Sequence, residues 1–472
     1  MTDKELKQLG VPSGAPLEAA RRGIQEAVQA GLPRKSMRKL VRQVLRNPAA
    51  QAQHPHFGGL AQLLMTHAIP AHVVRMAPPS PPLREGMAPW QQWGAGLDPE
   101  SVQQMRNACS LPVSVRGALM PDAHVGYGLP IGGVLAVHNA VIPFAVGVDI
   151  ACRMKMTVLD LPPDAVTGQM ERLRHAIETE TRFGVGSSFR DRRAHEVMDR
   201  NWSVSPVTRE HKDKAWAQLG TSGSGNHFVE FGRLEIFAPG LDLPPGEYLA
   251  LLSHSGSRGT GALVCDHYSK IAMKRLPELP RELQRLAWLS LDSDAGQEYW
   301  AAMELMGRYA AANHACIHRY IAQHLGARVL LDLENHHNFA WKEVHDGQTV
   351  IVHRKGATPA AQGVLGIIPG SMASPAYIVR GKGNPASMNS AAHGAGRLMS
   401  RTQAKKTFTW KQARAVLDAQ GVTLMTAGLE EVPMVYKNIH EVMAAQRDLV
   451  TILGQFDPKL VKMAPHGERA ED

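Results

Sequence analysis

Cysteine is scarce in this chain. Four residues in 472 (Cys109, Cys152, Cys265 and Cys316) lie far apart. That rules out a disulfide framework and a compact paired-cysteine zinc module, and it favours a reducing compartment. Also missing are an HExxH helix, a sustained internal repeat and the regular strand–helix alternation of a parallel sheet. No apolar run reaches the roughly 20 residues that span a bilayer. The opening MTDKELKQLG carries acids where a signal peptide has an apolar core. A cytoplasmic location with no membrane partner is therefore expected. What remains is an ordinary globular composition, 44% hydrophobic and 20% charged, long enough to bury a large core. The net charge is +9, which makes a polyanion a natural partner. Histidine is plentiful at 22 residues, and placement decides what each one means.

Residues 1–85 read as a basic helical extension that ends in a proline-rich linker. Between Pro33 and Asn47, Met37, Leu40, Val41, Val44 and Leu45 recur at helical spacing. Opposite them stand Arg34, Lys35, Arg38, Lys39, Arg42 and Arg46, and Pro48 closes the pattern. Such a face suits RNA or plain solvent. The stretch APPSPPLREGMAPW (77–90) is a stiff linker. From residue 86 to 472, short β-rich runs each end in a polar, glycine-bearing turn, at 132–138, 154–159, 248–253, 328–333, 349–353 and 376–380. Helical patterns lie between them, at Met170–Ile177, at 298–324, and in a last helix carrying Val442, Leu449, Val450 and Leu453. The expected fold class is α+β: one large domain of mixed β-sheets flanked by helices.

Several loops at these strand ends carry metal-binding side chains. GVDIACRM holds Asp149 and Cys152 at i, i+3; LGTSGSGNHFVE holds Asn226 and His227; HSGSRGTG begins with His254; LENHHNFA holds His336, His337 and Asn338. Alone, Cys152 reads as a small buried hydrophobe and each histidine as a structural, hydrogen-bonded one. Together, imidazoles, a carboxylate and one thiolate suit Zn²⁺, Mn²⁺, Fe²⁺ or Co²⁺ better than Mg²⁺ or Ca²⁺. A single thiolate among histidines can bridge two ions about 3.5–4 Å apart, a geometry that clamps phosphoryl oxygens. The glycine-rich stretch 363–401 adds bare backbone N–H groups, His393 in HGAGR, and Arg397 and Arg401 behind it. A histidine so placed can attack phosphorus and form a covalent intermediate. It can equally be a surface histidine in a turn. Asp122 and His124 in MPDAHVGYG, Arg258, and His353-Arg354-Lys355 complete a set suited to phosphates.

Taken in order, MPDAHVGYGLPIGGV, GVDIAC, LGTSGSGNHFVE, HSGSRG, HHN, HRKGAT, IIPGSM, HGAGRLMSR and EEVPMVYKNIHEVMAAQRDLV resemble the RtcB family of RNA-splicing ligases over about residues 90–462. The resemblance implies an RtcB-like catalytic domain over 86–472. Its activity would be a GTP- and manganese-dependent ligase in RNA repair or tRNA splicing, joining an RNA 3′-phosphate, or a 2′,3′-cyclic phosphate once opened, to a 5′-hydroxyl. It implies Asp149, Cys152, His227, His254 and His337 as ligands of two Mn²⁺ ions, with Cys152 as the bridge. It implies His393 as the guanylylated nucleophile, its other nitrogen oriented by a carbonyl or carboxylate. Asn226, Glu230, Ser371, Gly394, Ala395, Gly396 and Lys462 would then contact GTP, and Arg258, Lys355, Arg397 and Arg401 the RNA. A monomer is expected, and an accessory guanylylation factor is left open.

Two departures fall at the base. Ala376 stands where a guanine-contacting serine is usual, and Lys462 is followed by Met463 and a tail where the family ends on Lys-Gly. Arg153 replaces the small residue usual after the cysteine and is expected to bear on metal access. The alternatives are a non-catalytic RNA-binding protein, and a dimetal 3′-end phosphohydrolase or capping enzyme on the same scaffold.

Overall fold

A computed structural model describes residues 2–9, 11, 14–33, 36–66 and 86–467. The chain divides into two compact units at residue 81. The first is helical: α1 (Asp3–Leu9), α2 (Ala15–Gln29), α3 (Met37–Arg46) and α4 (Gly58–Thr66). Its core is its own, built on Leu6, Leu17, Ala20, Val41, Phe57 and Leu60. In α3 the apolar stripe turns Met37, Val41 and Val44 inward and leaves Arg38, Lys39 and Arg42 exposed. Arg38 reaches Glu5 at 3.2 Å. Arg34, Lys35 and the linker residues up to 85 lie outside the described residues.

The second unit holds two large sheets. Their strands are β1 (Trp90–Gln92), β2 (Ser114–His124), β3 (Ile131–Val137), β4 (Arg153–Leu159), β5 (Phe228–Ile236), β6 (Gly246–Ser255), β7 (Val329–His336), β8 (Asn338–His345), β9 (Gln348–Lys355), β10 (Leu365–Ile368), β11 (Ala376–Gly381), β12 (Thr423–Thr426) and β13 (Val450–Met463). One sheet runs β1-β2-β3-β9-β8, and the other β10-β11-β13-β5-β6-β4-β7, with β12 parallel on β13. Apart from β1 and β12 the pairing is antiparallel. The mixed α+β reading holds, and each strand run seen in the sequence is a strand.

Helices cover the sheets. Pro99–Cys109 (α5) is started by Asp98, whose carboxylate accepts from the amides of Glu100 and Ser101. Arg258–Arg275 (α6) and the 31-residue Asp294–His324 (α7) bury Tyr268, Tyr299 and Tyr309 in the largest core. The last helical pattern requires a correction. The helix there is only Ile439–Ala444, and Val450 and Leu453 belong to β13. Val450, Thr451 and Ile452 are β-branched and favour the pleated strand. A run of four apolar positions does not by itself separate the two periods.

Candidate metal and phosphate site

The second sheet gathers its side chains by strand register. Being antiparallel, β4 and β5 begin where β6 and β7 end: Arg153 pairs with Ser255 and His336, and Phe228 pairs with His254. Cys152 comes just before β4, His227 just before β5, His254 is next to last in β6, and His337 follows β7. His337 is also where the chain leaves one sheet for the other, because β8 starts at Asn338. Asp149 joins them through a tight turn closed by the Cys152 amide on its carbonyl at 3.2 Å. Gly256 lets Asp149 in: a Cβ there would lie 2.0 Å from Asp149 Oδ2.

The five side chains form two overlapping triads, Asp149–Cys152–His227 and Cys152–His254–His337, with ligand atoms within 4.8 Å of one another and Cys152 shared. Cys152 Sγ is 3.4 Å from His227 Nε2 and 3.1 Å from His254 Nε2, and His254 Nε2 is 3.1 Å from His337 Nε2. His227 Nδ1 donates to the Ser222 carbonyl at 2.9 Å, and His254 Nδ1 to the Asn226 carbonyl at 3.1 Å. These bonds place the proton on Nδ1 and turn the lone pair of each Nε2 inward. Burial, helped by the neighbouring His227 and His393, pushes His254 down to about 3, and burial holds His337 well below the ordinary imidazole range. Burial alone would raise Asp149, but His227 and Arg258 outweigh it and hold the carboxyl at about 2. Buried Asp149 Oδ2 lies 3.1 Å from His227 Nε2 and has no other hydrogen-bond partner among the described residues. Imidazole lone pairs, a thiol and a buried carboxylate oxygen facing one another are a donor set suited to cations, so the residues fit a pair of metal ions.

His393 lies against this cluster, its ring 4.8 Å from that of His337. Its Nδ1 donates to Asp122 Oδ2 at 2.7 Å, and its own backbone amide reaches the same oxygen at 3.1 Å. Asp122 is fully buried. It is aimed by a break in the β2–β3 ladder between Leu119 and His124, a bulge of the kind that redirects side chains beside active sites. Gly396 (φ +75°) permits the approach, because a Cβ there would lie 2.0 Å from the Asp122 carbonyl oxygen. The orienting carboxylate expected for His393 is therefore Asp122. The sequence places this residue in a motif but carries no sign that it pairs with a histidine 271 residues away.

One cavity of about 860 Å³ joins these groups. Asn226, Glu230, Ser371 and the His393–Gly396 loop all line it. Glu230 is buried, and burial pushes its carboxyl well above the usual range. Arg397 and Arg401 line the wall, each held by Glu431 at 2.7 and 2.8 Å. Glu431 is itself buried, and nothing in the sequence of its motif marks it as the anchor of two arginines. Lys437, donating to the carbonyls of Pro121 and Ala123, is a further cation on the wall.

Several residues sit differently from expectation. His353 and Arg354 are buried and do not line the cavity, His353 Nε2 accepting from the Ile142 amide at 2.9 Å and Arg354 pairing with Glu343 at 2.6 Å. Arg258 is buried behind the cluster, its guanidinium 3.3 Å from His227 Nδ1. Lys355 lines the cavity but is 4% exposed, donates to the Tyr127 carbonyl at 2.5 Å, and is pushed down by burial to about 7. Lys462 requires a correction. Val461 and Met463 face the cavity, so strand alternation turns Lys462 to the other side, its ammonium 5.4 Å from the Phe183 ring. Arg153 likewise points away from the cluster, paired with Glu334 at 3.0 Å and donating to the Gly307 carbonyl at 2.9 Å.

The sequence model of the tRNA-splicing ligase RtcB matches residues 104–205 and 191–463. RNA-splicing ligase RtcB1 of Escherichia coli is 34% identical over 403 residues, covering 78% of this chain and 95% of that protein. The tRNA-splicing ligase RtcB of Methanococcus maripaludis is 31% identical over 448 residues, 79% of this chain and 91% of the relative. That of Nanoarchaeum equitans is 31% identical, covering 76% and 90%.

Proposed function

The chain belongs to the RtcB family and is an RNA ligase of the 3′-phosphate/5′-hydroxyl type, and we propose that it works through GTP, two Mn²⁺ ions and a guanylylated His393. The observation that carries this reading is the Asp122–His393 pair set against the cysteine–histidine cluster. With its proton on Nδ1, the imidazole keeps a lone pair on Nε2 for attack. Nε2 bonds to the α-phosphorus of GTP while the bond to pyrophosphate breaks, and Asp122 stabilises the imidazolium character that develops. Ions held by Asp149, Cys152, His227, His254 and His337 would neutralise charge on the phosphoryl oxygens.

In the second transfer an oxygen of the RNA 3′-phosphate takes the guanylyl group, and His393 recovers its lone pair. The 5′-hydroxyl then attacks the RNA phosphorus, forming the phosphodiester and releasing GMP. Arg397 and Arg401, fixed in direction by Glu431, are suited to hold RNA phosphates through these steps. Such transfers depend mainly on positioning and electrostatics. Lys355 and Arg258, both buried, serve this reading as supports of the cavity wall and of His227.

The test is labelling with α-labelled GTP, and separately ATP, with and without Mn²⁺. Wild-type protein should form a manganese-dependent adduct that survives denaturation, and His393→Ala should form none. Absence of any adduct from folded, metal-loaded wild type, alone and with cell extract that could supply a guanylylation factor, would overturn the mechanism.

A further inference from the structure

The mouth of the cavity carries exposed apolar side chains that phosphoryl chemistry does not explain. Val125, Tyr127 and Leu398 line it and are 41%, 53% and 61% exposed. Tyr127 is held from several sides. Gly126 is clasped by Gln104, which donates to its carbonyl at 2.7 Å and accepts from its amide at 3.0 Å. The Tyr127 carbonyl accepts from Lys355 Nζ at 2.5 Å. Gly128 (φ +75°) packs so closely on the backbone of Arg285 that a Cβ would lie 2.7 Å from the carbonyl oxygen. The Arg285 guanidinium in turn lies over the Tyr127 ring, 4.6 Å from its centroid. A large aromatic is thus fixed in direction while half of its surface stays in water.

We propose that Tyr127, backed by Arg285, is a stacking platform for the nucleobase next to the ligation junction. The inference rests on the RNA-ligase reading of the same cavity. RNA that delivers its terminal phosphate to His393 and to Arg397 must lead its bases out past this rim. Unpaired bases at RNA ends stack on aromatic rings and on guanidinium planes, whatever their sequence. A preordered ring binds at low entropic cost, and an arginine on it adds positive charge beside the phosphate backbone. The ring does this work and the hydroxyl does not, so phenylalanine should serve and alanine should fail.

The experiment uses the full chain with GTP and Mn²⁺, and measures joining of two oligonucleotides for wild type, Tyr127→Ala and Tyr127→Phe. Each strand is tested with its junction base present or replaced by an abasic residue. His393 labelling is followed in parallel, and its absence from wild type would indict the ligase mechanism and not the platform. Tyr127→Ala should raise KM for RNA by about 5- to 150-fold, the equivalent of one lost base stack. Tyr127→Phe should stay near wild type. One abasic substrate should bind wild type poorly and be indifferent to Tyr127→Ala. Three results would each overturn the proposal: an unchanged KM in Tyr127→Ala, equal losses on intact and both abasic substrates, or Tyr127→Phe as impaired as alanine.

Discussion

Around His393, although Asp122 Oδ1 and His337 Nδ1 have no hydrogen-bond partner among the described residues, several polar side chains are tied by hydrogen bonds to partners far away in the chain. At the part of the cavity near Glu230 they are not. Asp122 binds the His393 ring and backbone, Asn226 holds His254, and Asn338 Nδ2 reaches the Asp149 carbonyl at 3.3 Å while its Oδ1 accepts from the Gly356 amide. Three residues past His227, about 10 Å along the strand, the walls change. Phe228, Val461, Met463 and Ala376 are apolar, Glu230 is a buried carboxyl, and the polar contacts of Ser371 are local, with Ser374 at 2.7 Å and the Ala373 amide at 3.3 Å. Phosphoryl transfer tolerates little displacement, so its groups are cross-braced. A base bound there would be held mainly by shape, which needs less bracing and discriminates less.

The strongest test of this contrast is Asp122→Asn. Asparagine keeps the volume but removes the charge that fixes the His393 proton on Nδ1. In serine-protease triads the corresponding swap costs roughly ten-thousandfold through the wrong tautomer. Labelling of His393 should fall by about 10³- to 10⁴-fold, with thermal stability changed far less. A loss under about tenfold would mean that His393 is oriented by something other than Asp122.

That pairing also marks where reading a sequence stops. The five candidate ligands are legible in sequence because they fall in four short motifs at strand margins, three of them glycine-bearing, and the structure gathers all five through the ends of four adjacent strands. Whether a residue faces the cavity depends on strand parity, which one bulge or a shifted boundary reverses. Hence Lys462, expected at the base, faces away from the cavity. Asp122 is legible as a candidate but not as the partner of His393, and Glu431 is not singled out at all: a carboxylate in a motif does not reveal a partner that only tertiary folding brings near. The Val450–Leu453 segment was lost to the ambiguity of short apolar runs.

A smaller effect is expected at the base. With Ala376 in the wall and Lys462 turned away, labelling by ATP should come within about tenfold of labelling by GTP, a margin of one or two hydrogen bonds. Ala376→Ser restores a hydroxyl and should widen the preference for GTP by about 3- to 10-fold. Competition between the two nucleotides at fixed Mn²⁺ measures both. A wild-type preference above about a thousandfold would place base recognition in groups other than these and erase the contrast between the two parts of the cavity.

The smallest effect on the chemistry should come from removing the helical unit. Residues 1–66 hold ten lysines and arginines against four acids, so six of the nine net positive charges sit in about a seventh of the chain. Yet that unit buries its own core, and the candidate metal ligands, Asp122 and His393 all belong to the other unit. A protein beginning at residue 82 should label His393 within about twofold of wild type. What it should lose is non-specific affinity for RNA. Each phosphate contact removed lowers the slope of log K against log salt by about 0.7 for a single strand. Arg38, Lys39 and Arg42 are exposed along one helix face, so a drop of roughly two in that slope is the expected size. Charge reversal at these three positions in the full chain should reproduce it, because the loss then follows the charges and not the missing fold. An unchanged slope in both proteins would make the basic face a solvated surface. Loss of labelling in a folded truncation would show that the helical unit takes part in the first transfer after all.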